Sequence, residues 1–110
     1  MDVAIKTVKG VTVIQLVGSL DGKTAPEVQR QVLPGTEGQK KVILDMTGVN
    51  FVSSAGLRIL LLLYRQVKAK GGTIALVGKS DDIKDVMANT GLLNFFVTAD
   101  TLDKGIAALA

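Results

Sequence analysis

The alternation of apolar and polar residues predicts the first elements of the chain. Two β-branched runs, Val3–Thr7 and Val11–Val17, flank Lys9-Gly10, and this arrangement predicts a β-hairpin. Both faces of the second run are partly apolar. A strand that is apolar on both faces needs cover on both, so we expect the second strand to lie more centrally in the sheet than the first.

Strands and helices alternate after the hairpin. The predicted strands are Lys41–Asp45, Thr73–Val77 and Phe95–Val97, and the predicted helices are Ala25–Val32 (ending before Pro34-Gly35), Leu57–Lys70, Asp81–Asn89 and a last helix from Asp100 or Thr101 to Leu109. This order predicts an α/β domain with a mostly parallel central sheet and one antiparallel edge. A chain of 110 residues is expected to form one domain, residues 1–110.

A pair of serines lies where the central strand gives way to the most apolar helix. Met46–Val52 is predicted to be a loop, and Ser53 or Ser54 opens the helix because a hydroxyl there accepts from the free N–H groups of the first turn. Sites tend to form at the carboxyl end of the strands in open α/β folds. The alternative is that both serines only cap the helix.

The apolar residues of this helix fall into two groups. One stripe is predicted to be core, and it consists of Leu57, Leu60, Leu61, Tyr64 and Val67. Ile59 and Leu62 fall on the other side, near Arg58. A neighbouring helix covers them, or they form an apolar patch that is offered to a partner, since exposed apolar groups rimmed by charge often mark interfaces.

The turn after the second strand contains a candidate cap and a candidate carboxylate. Thr24 and Glu27 have the spacing of a capping box. Asp21 either bonds its own backbone in a turn or presents a carboxylate to a basic partner. Asp45, at the end of a strand, is predicted to organise the following loop.

Composition removes several classes of function. The chain has a net charge of +3 but contains no cysteine, no histidine and no tryptophan, and 4% of its residues are aromatic. Disulfide and thiolate chemistry are excluded, as is histidine catalysis. Gly78-Lys79-Ser80 lacks the glycine of a phosphate-binding loop, because Thr73 stands five residues before Gly78. We therefore expect no enzyme, no cofactor, no metal, no direct nucleic-acid binding and no membrane insertion, and a cytoplasmic protein that is a monomer when free.

Three stretches resemble one known family. Phe51–Leu57 (FVSSAGL) is similar to the phosphorylation loop of STAS domains, the family of bacterial anti-sigma-factor antagonists, and Ser54 matches the phosphorylated position. Gly18–Thr24 resembles the family's Gly-x-Leu-Asp-x-x-Thr turn, and Gly91-Leu92 also resembles the family pattern. Ser53 departs from it, since many antagonists have Asp there. The resemblance implies a small mixed sheet with helices mainly on one face.

The resemblance also implies a function. Such antagonists bind an anti-sigma serine kinase and release a sigma factor, phosphorylation at the Ser54 position ends the binding, and a phosphatase restores it. The alternative is a stand-alone STAS subunit of a lipid transporter or signalling scaffold without a phosphorylation cycle. The predicted partner-binding residues are Asp21, Ser53, Ser54, Gly56, Arg58, Ile59 and Leu62.

Overall fold

Five strands form a single sheet in the order β1–β2–β3–β4–β5, with β1 antiparallel to β2 and every other pair parallel. The computed structural model describes residues 1–109. In chain order the elements are β1 (Asp2–Val8), β2 (Val11–Leu20), α1 (Ala25–Thr36), β3 (Lys41–Val52), α2 (Ser54–Ala69), β4 (Thr73–Val77), α3 (Asp81–Asn89), a 3-10 turn (Leu92–Phe95), β5 (Val97–Ala99) and α4 (Leu102–Leu109). The predicted fold class, a mostly parallel sheet with one antiparallel edge, is confirmed.

The hairpin turn has the geometry that its two residues favour. Val8 pairs with Val11, so Lys9 and Gly10 form a two-residue loop. Both have positive φ, 52° at Lys9 and 79° at Gly10. Two such residues in succession match the twist of the flanking strands, which is why this turn type joins hairpins.

The helices cover the two faces of the sheet unequally. The larger core lies under α1, α2 and α3 and contains Ile14 and Leu16 of β2. The smaller core lies under α4 and contains Val11 and Val13 of the same strand. Successive side chains of a strand point to opposite faces, so β2 contributes to both cores. The helices therefore lie mainly on one face, as the resemblance implied.

The predicted loop Met46–Val52 is wrong, because β3 continues through it beside β2 as far as the Leu20–Val52 pair. The register shifts twice, between Gln15 and Val17 and between Gly18 and Ser19. The buried residues of this part of β3 are three positions apart, at Met46, Val49 and Val52. Bulges of this kind break the two-residue alternation that identifies a strand in a sequence.

Helix α1 was predicted to end before Pro34-Gly35, and this is wrong. The helix includes both residues and continues to Thr36. A side chain of α2 stabilises the last turn of α1. The Gln66 side-chain amide donates to the Leu33 carbonyl at 2.7 Å and to the Thr36 hydroxyl at 3.0 Å. The Thr36 hydroxyl in turn donates to the Val32 carbonyl at 2.8 Å. These bonds support a turn in which proline supplies no N–H.

The C-terminal elements are shifted from their predicted positions. Leu92–Phe95 forms a 3-10 turn, and β5 begins at Val97 instead of Phe95. Helix α4 follows Thr101, whose hydroxyl accepts from the Lys104 N–H at 3.2 Å. Within residues 1–109, no helix combines the length and the apolar character needed to cross a membrane.

Candidate functional site

The two adjacent serines have different roles at the start of α2. The Ser53 hydroxyl accepts from the Gly56 N–H at 3.3 Å, and the Ser53 backbone N–H donates to the Leu20 carbonyl at 2.9 Å. Ser53 is therefore the N-cap, and it is half-buried. Ser54 is the first residue of the helix and is exposed. The capping explanation, which the sequence left open for both serines, applies to Ser53.

The buried side of α2 differs from the predicted stripe. Leu60 and Val67 are buried as expected, but Leu57, Leu61 and Tyr64 are only half-buried. Leu63, absent from the predicted stripe, is 1% exposed, and Ile59 is 6% exposed. The helix is covered on two sides, by α1 and by the Leu92–Phe95 turn, so its buried arc is wider than one stripe.

The prediction that Ile59 contributes to an exposed apolar patch is wrong. Ile59 belongs to the main core, beneath the helix layer. Leu62 is half-buried and packs against that same core. The alternative stated from the sequence, cover by neighbouring structure, holds for Ile59, and the place of Leu62 in a partner surface stays a prediction.

Gly56 brings the start of α2 against the end of β2. A Cβ atom at this position would lie 2.5 Å from the Leu20 carbonyl oxygen and 2.8 Å from Leu20 Cγ. Any larger residue would push the helix away from the strand. Gly56 is buried, so the contact that it makes is internal packing and not an exposed partner surface.

The turn after β2 is organised by Asp21. Its carboxylate accepts from the backbone N–H of Lys23 at 2.9 Å and of Thr24 at 3.1 Å. These two bonds lower the pKa of Asp21 because they favour the charged carboxylate, and the bond from the Thr24 N–H has the larger effect. Asp21 thus has the turn-forming role that was one of its two predicted roles, and the residue as a whole is half-buried.

The predicted capping box at Thr24 and Glu27 is wrong. Thr24 makes no side-chain capping bond to α1. Its hydroxyl donates to the Ser19 carbonyl at 2.8 Å and accepts from the Asp21 N–H at 2.9 Å. These bonds close the turn onto the end of β2, so Thr24 occupies the N-cap position of α1 but its hydroxyl does not bond to the helix.

A second acidic residue, Asp45, is distant from this turn. It accepts from the Thr47 N–H at 3.0 Å and from the Thr47 hydroxyl at 2.6 Å, and so organises its own strand. Asp45 pairs with Gln15 of β2 in the sheet. Gln15 is six residues before Asp21, and six residues of a strand span roughly 20 Å. Among residues 1–109, no group of three or more histidine, cysteine or acidic side chains could hold a metal ion.

An open apolar groove of about 350 Å³ lies beside Ser54. One wall is the exposed side of α2, and the other comes from the segment after α3; the lining residues are Ser54, Leu57, Arg58, Leu61, Thr90, Leu92 and Phe95. Phe95 is 50% exposed, and its ring centroid lies 5.1 Å from that of Tyr64. A large exposed aromatic side chain that packs against a second ring is typical of binding surfaces.

Sequence reasoning missed the second wall of the groove. Phe95 was assigned to a strand, and Leu92 was considered only as part of the Gly91-Leu92 resemblance. The signal present in the sequence was Gly91, which has a left-handed φ of 76° and turns the chain back toward α2. Phe51, which is 53% exposed near the end of β3, was also missed, because its segment was predicted to be a loop.

The geometry therefore joins an exposed hydroxyl, a helix N-terminus and an apolar groove, and comparison with known proteins identifies the family. The STAS domain profile matches residues 2–105. This chain belongs to the STAS domain family. A Bordetella bronchiseptica protein named as a candidate anti-sigma factor antagonist, BtrV, is 25% identical over 109 residues, which cover 98% of this STAS domain and 94% of that protein.

Solved structures show the same fold. A candidate anti-sigma factor antagonist from Thermotoga maritima superposes with a TM-score of 0.91 at 20% identity, over 97% of this STAS domain and 93% of that chain. A sulfate transporter family protein from Wolinella succinogenes superposes with a TM-score of 0.81 at 22% identity, over 94% and 88%. At these identities the likeness concerns the fold, which antagonists and transporters share.

Proposed function

We propose that this STAS domain is an anti-sigma-factor antagonist. With Ser54 unmodified, it binds a serine kinase of the anti-sigma type, and a sigma factor is released. The observation that carries the proposal is the exposed Ser54 hydroxyl at the start of α2, on the rim of an apolar groove. The likeness to a candidate antagonist along nearly the whole chain supports it.

The kinase then ends its own binding by phosphorylating Ser54. The Ser54 hydroxyl oxygen attacks the γ-phosphorus of ATP, the bond to the β,γ-bridging oxygen breaks, and ADP leaves. A base on the kinase takes the hydroxyl proton. Ser53 does not compete as the acceptor, because it is half-buried and its oxygen is bonded to the Gly56 N–H. A phosphatase hydrolyses the phosphoserine and restores binding.

The domain stays folded when it is modified. A phosphoryl group adds about −1.5 to −2 charges at neutral pH. The first turn of α2 has no acidic residue, so the positive end of the helix dipole is available to the new charge. The surface beside the groove changes its charge while the core stays intact, and a partner that docks there loses its fit.

The partner surface is centred on the groove. Ser54, Arg58 and Phe95 present polar, cationic and aromatic groups within it. Asp21 lies on the neighbouring turn, since Leu20 bonds to Ser53 across the two strand ends. Ser53 acts through the cap, which fixes the position of Ser54.

Phosphate transfer tests the proposal. The protein is incubated with ATP and the anti-sigma-type kinase encoded nearest to its gene, and intact mass and peptide mapping locate the phosphate. We expect one phosphate on Ser54, none with Ser54→Ala, and continued incorporation with Ser53→Ala. Phosphate on Ser53 in the wild-type protein contradicts the assignment. If no phosphate is incorporated, the second candidate function is favoured, a stand-alone STAS subunit without a phosphorylation cycle. The fold that this domain shares with the transporter family protein supports that candidate.

A further inference from the structure

Arg58 lies one helical turn after Ser54 on the same side of α2. Residues four apart on a helix are neighbours, here separated by about 6 Å along the axis. Ser54 and Arg58 are both exposed, and both line the groove. An ion pair between residues four apart on a helix is more favourable when the anion lies on the N-terminal side and the cation on the C-terminal side. A negative charge at position 54 and the Arg58 cation have this order.

The Arg58 guanidinium forms no ion pair within residues 1–109. Among residues 1–109 the one ion pair joins Glu27 and Arg30 of α1. Helix α2 itself has three cationic side chains, Arg58, Arg65 and Lys68, and no carboxylate. No acidic side chain of its own helix therefore holds Arg58.

We propose that Arg58 binds the phosphoryl group of phosphorylated Ser54 and is the residue that positions it along the helix. This inference rests on the proposed function, because it concerns the modified state of Ser54. A planar guanidinium offers two parallel N–H groups to phosphate oxygens, and such charge-assisted bonds are stronger than bonds between neutral groups.

The ion pair between Arg58 and phosphorylated Ser54 changes the lining of the groove as well as the charge at position 54. Arg58 is the only charged side chain among the groove-lining residues. Once it turns toward the phosphoryl group, the groove loses its cationic edge, and a carboxylate of a partner has nothing to pair with there. Phosphorylation thus acts on the partner surface twice, by adding a dianion and by removing a cation.

The competing charged groups lie on the turn after β2. Lys23 and Asp21 are close in sequence to Leu20, which bonds to Ser53, so Lys23 is a competing cation on the turn beside the start of α2. Arg65 is the matched control, since it is also an exposed arginine on α2 but lies 11 residues from Ser54, about 16 Å along the axis.

The second pKa of the phosphate reports the pair directly. Phosphoserine is inserted at position 54 during translation, so no kinase is needed, and the ³¹P chemical shift is titrated in the wild-type protein and in Arg58→Ala, Arg58→Lys, Arg65→Ala and Lys23→Ala. Pairing with a cation favours the dianion, so Arg58→Ala is expected to raise the second pKa by about 0.5, and Arg58→Lys by less. Arg65→Ala leaves it unchanged.

Two results would overturn the inference. One is an unchanged phosphate pKa in Arg58→Ala, and the other is a larger rise in Lys23→Ala than in Arg58→Ala. Melting curves of each variant confirm that the titrated protein is folded. Because the phosphoserine is inserted without the kinase, the result does not depend on whether a kinase modifies Ser54, which the phosphate-transfer experiment decides separately.

Discussion

At the scale of single residues, the difference between Ser53 and Ser54 carries the functional account. The sequence placed hydroxyls at the start of α2 but did not show which one caps it, because both positions satisfy the same rule. The structure separates them through one bond, from the Gly56 N–H to the Ser53 hydroxyl. Thr24 shows the same limitation, since its spacing fits a cap and its hydroxyl bonds to Ser19 instead.

The cap predicts unequal costs for two neighbouring substitutions. Ser53→Ala removes the capping bond and is expected to lower the free energy of unfolding by about 0.5–2 kcal/mol. Ser54→Ala removes an exposed hydroxyl and is expected to change it by less than about 0.5 kcal/mol. Urea unfolding of the two variants measures both values. A larger loss at Ser54 than at Ser53 would show that the cap is assigned to the wrong residue.

The close approach at Gly56 gives a second prediction. Gly56→Ala introduces a Cβ against the Leu20 carbonyl oxygen, which is backbone and cannot rotate away. We expect a loss of about 1–3 kcal/mol, the usual cost of overpacking. Gly22→Ala is the control, since no atom lies within 4 Å of its added Cβ and its φ is not left-handed. Thermal or urea unfolding compares the pair, and equal effects would contradict the packing role of Gly56.

At the scale of elements, the pattern predicted which segments are helices better than it predicted which sides of them are buried. The period of 3.6 residues found α2, but a single stripe assumes that a helix has one neighbour. Helix α2 has α1 on one side and the Leu92–Phe95 turn on the other, so Ile59 and Leu63 are both core. The end of β3 was missed for a related reason, because bulges replaced the two-residue alternation with a spacing of three.

Three leucines of α2 test this arrangement. Leu63→Ala removes a side chain that is 1% exposed and is expected to cost about 2–5 kcal/mol of unfolding free energy. Leu61→Ala and Leu62→Ala alter half-buried positions and should cost less. Leu61 lines the groove, so its substitution is also expected to weaken kinase binding. Weakened binding in Leu62→Ala alone would place the partner on the patch first predicted from the sequence and not on the groove.

At the scale of the whole molecule, the order of strands and helices was sufficient to predict the architecture. The hairpin set the antiparallel edge, and β2 was correctly expected to be more central than β1, because its two faces supply both cores. The groove could not be predicted in this way. It forms between α2 and the segment after α3, and their contact depends on a turn at Gly91 and on a 3-10 turn that has no sequence period of its own.

Modification of Ser54 is expected to switch partner binding without unfolding the domain. Titration calorimetry of the anti-sigma-type kinase with the unmodified protein and with Ser54→Asp tests it most directly, with melting curves of both proteins as the control. The dipole of α2 accepts the added charge, so the melting temperature should stay near that of the wild type. Binding should weaken by at least about tenfold, or about 1.4 kcal/mol. Equal affinity of the two proteins for the kinase would show that Ser54 does not control binding.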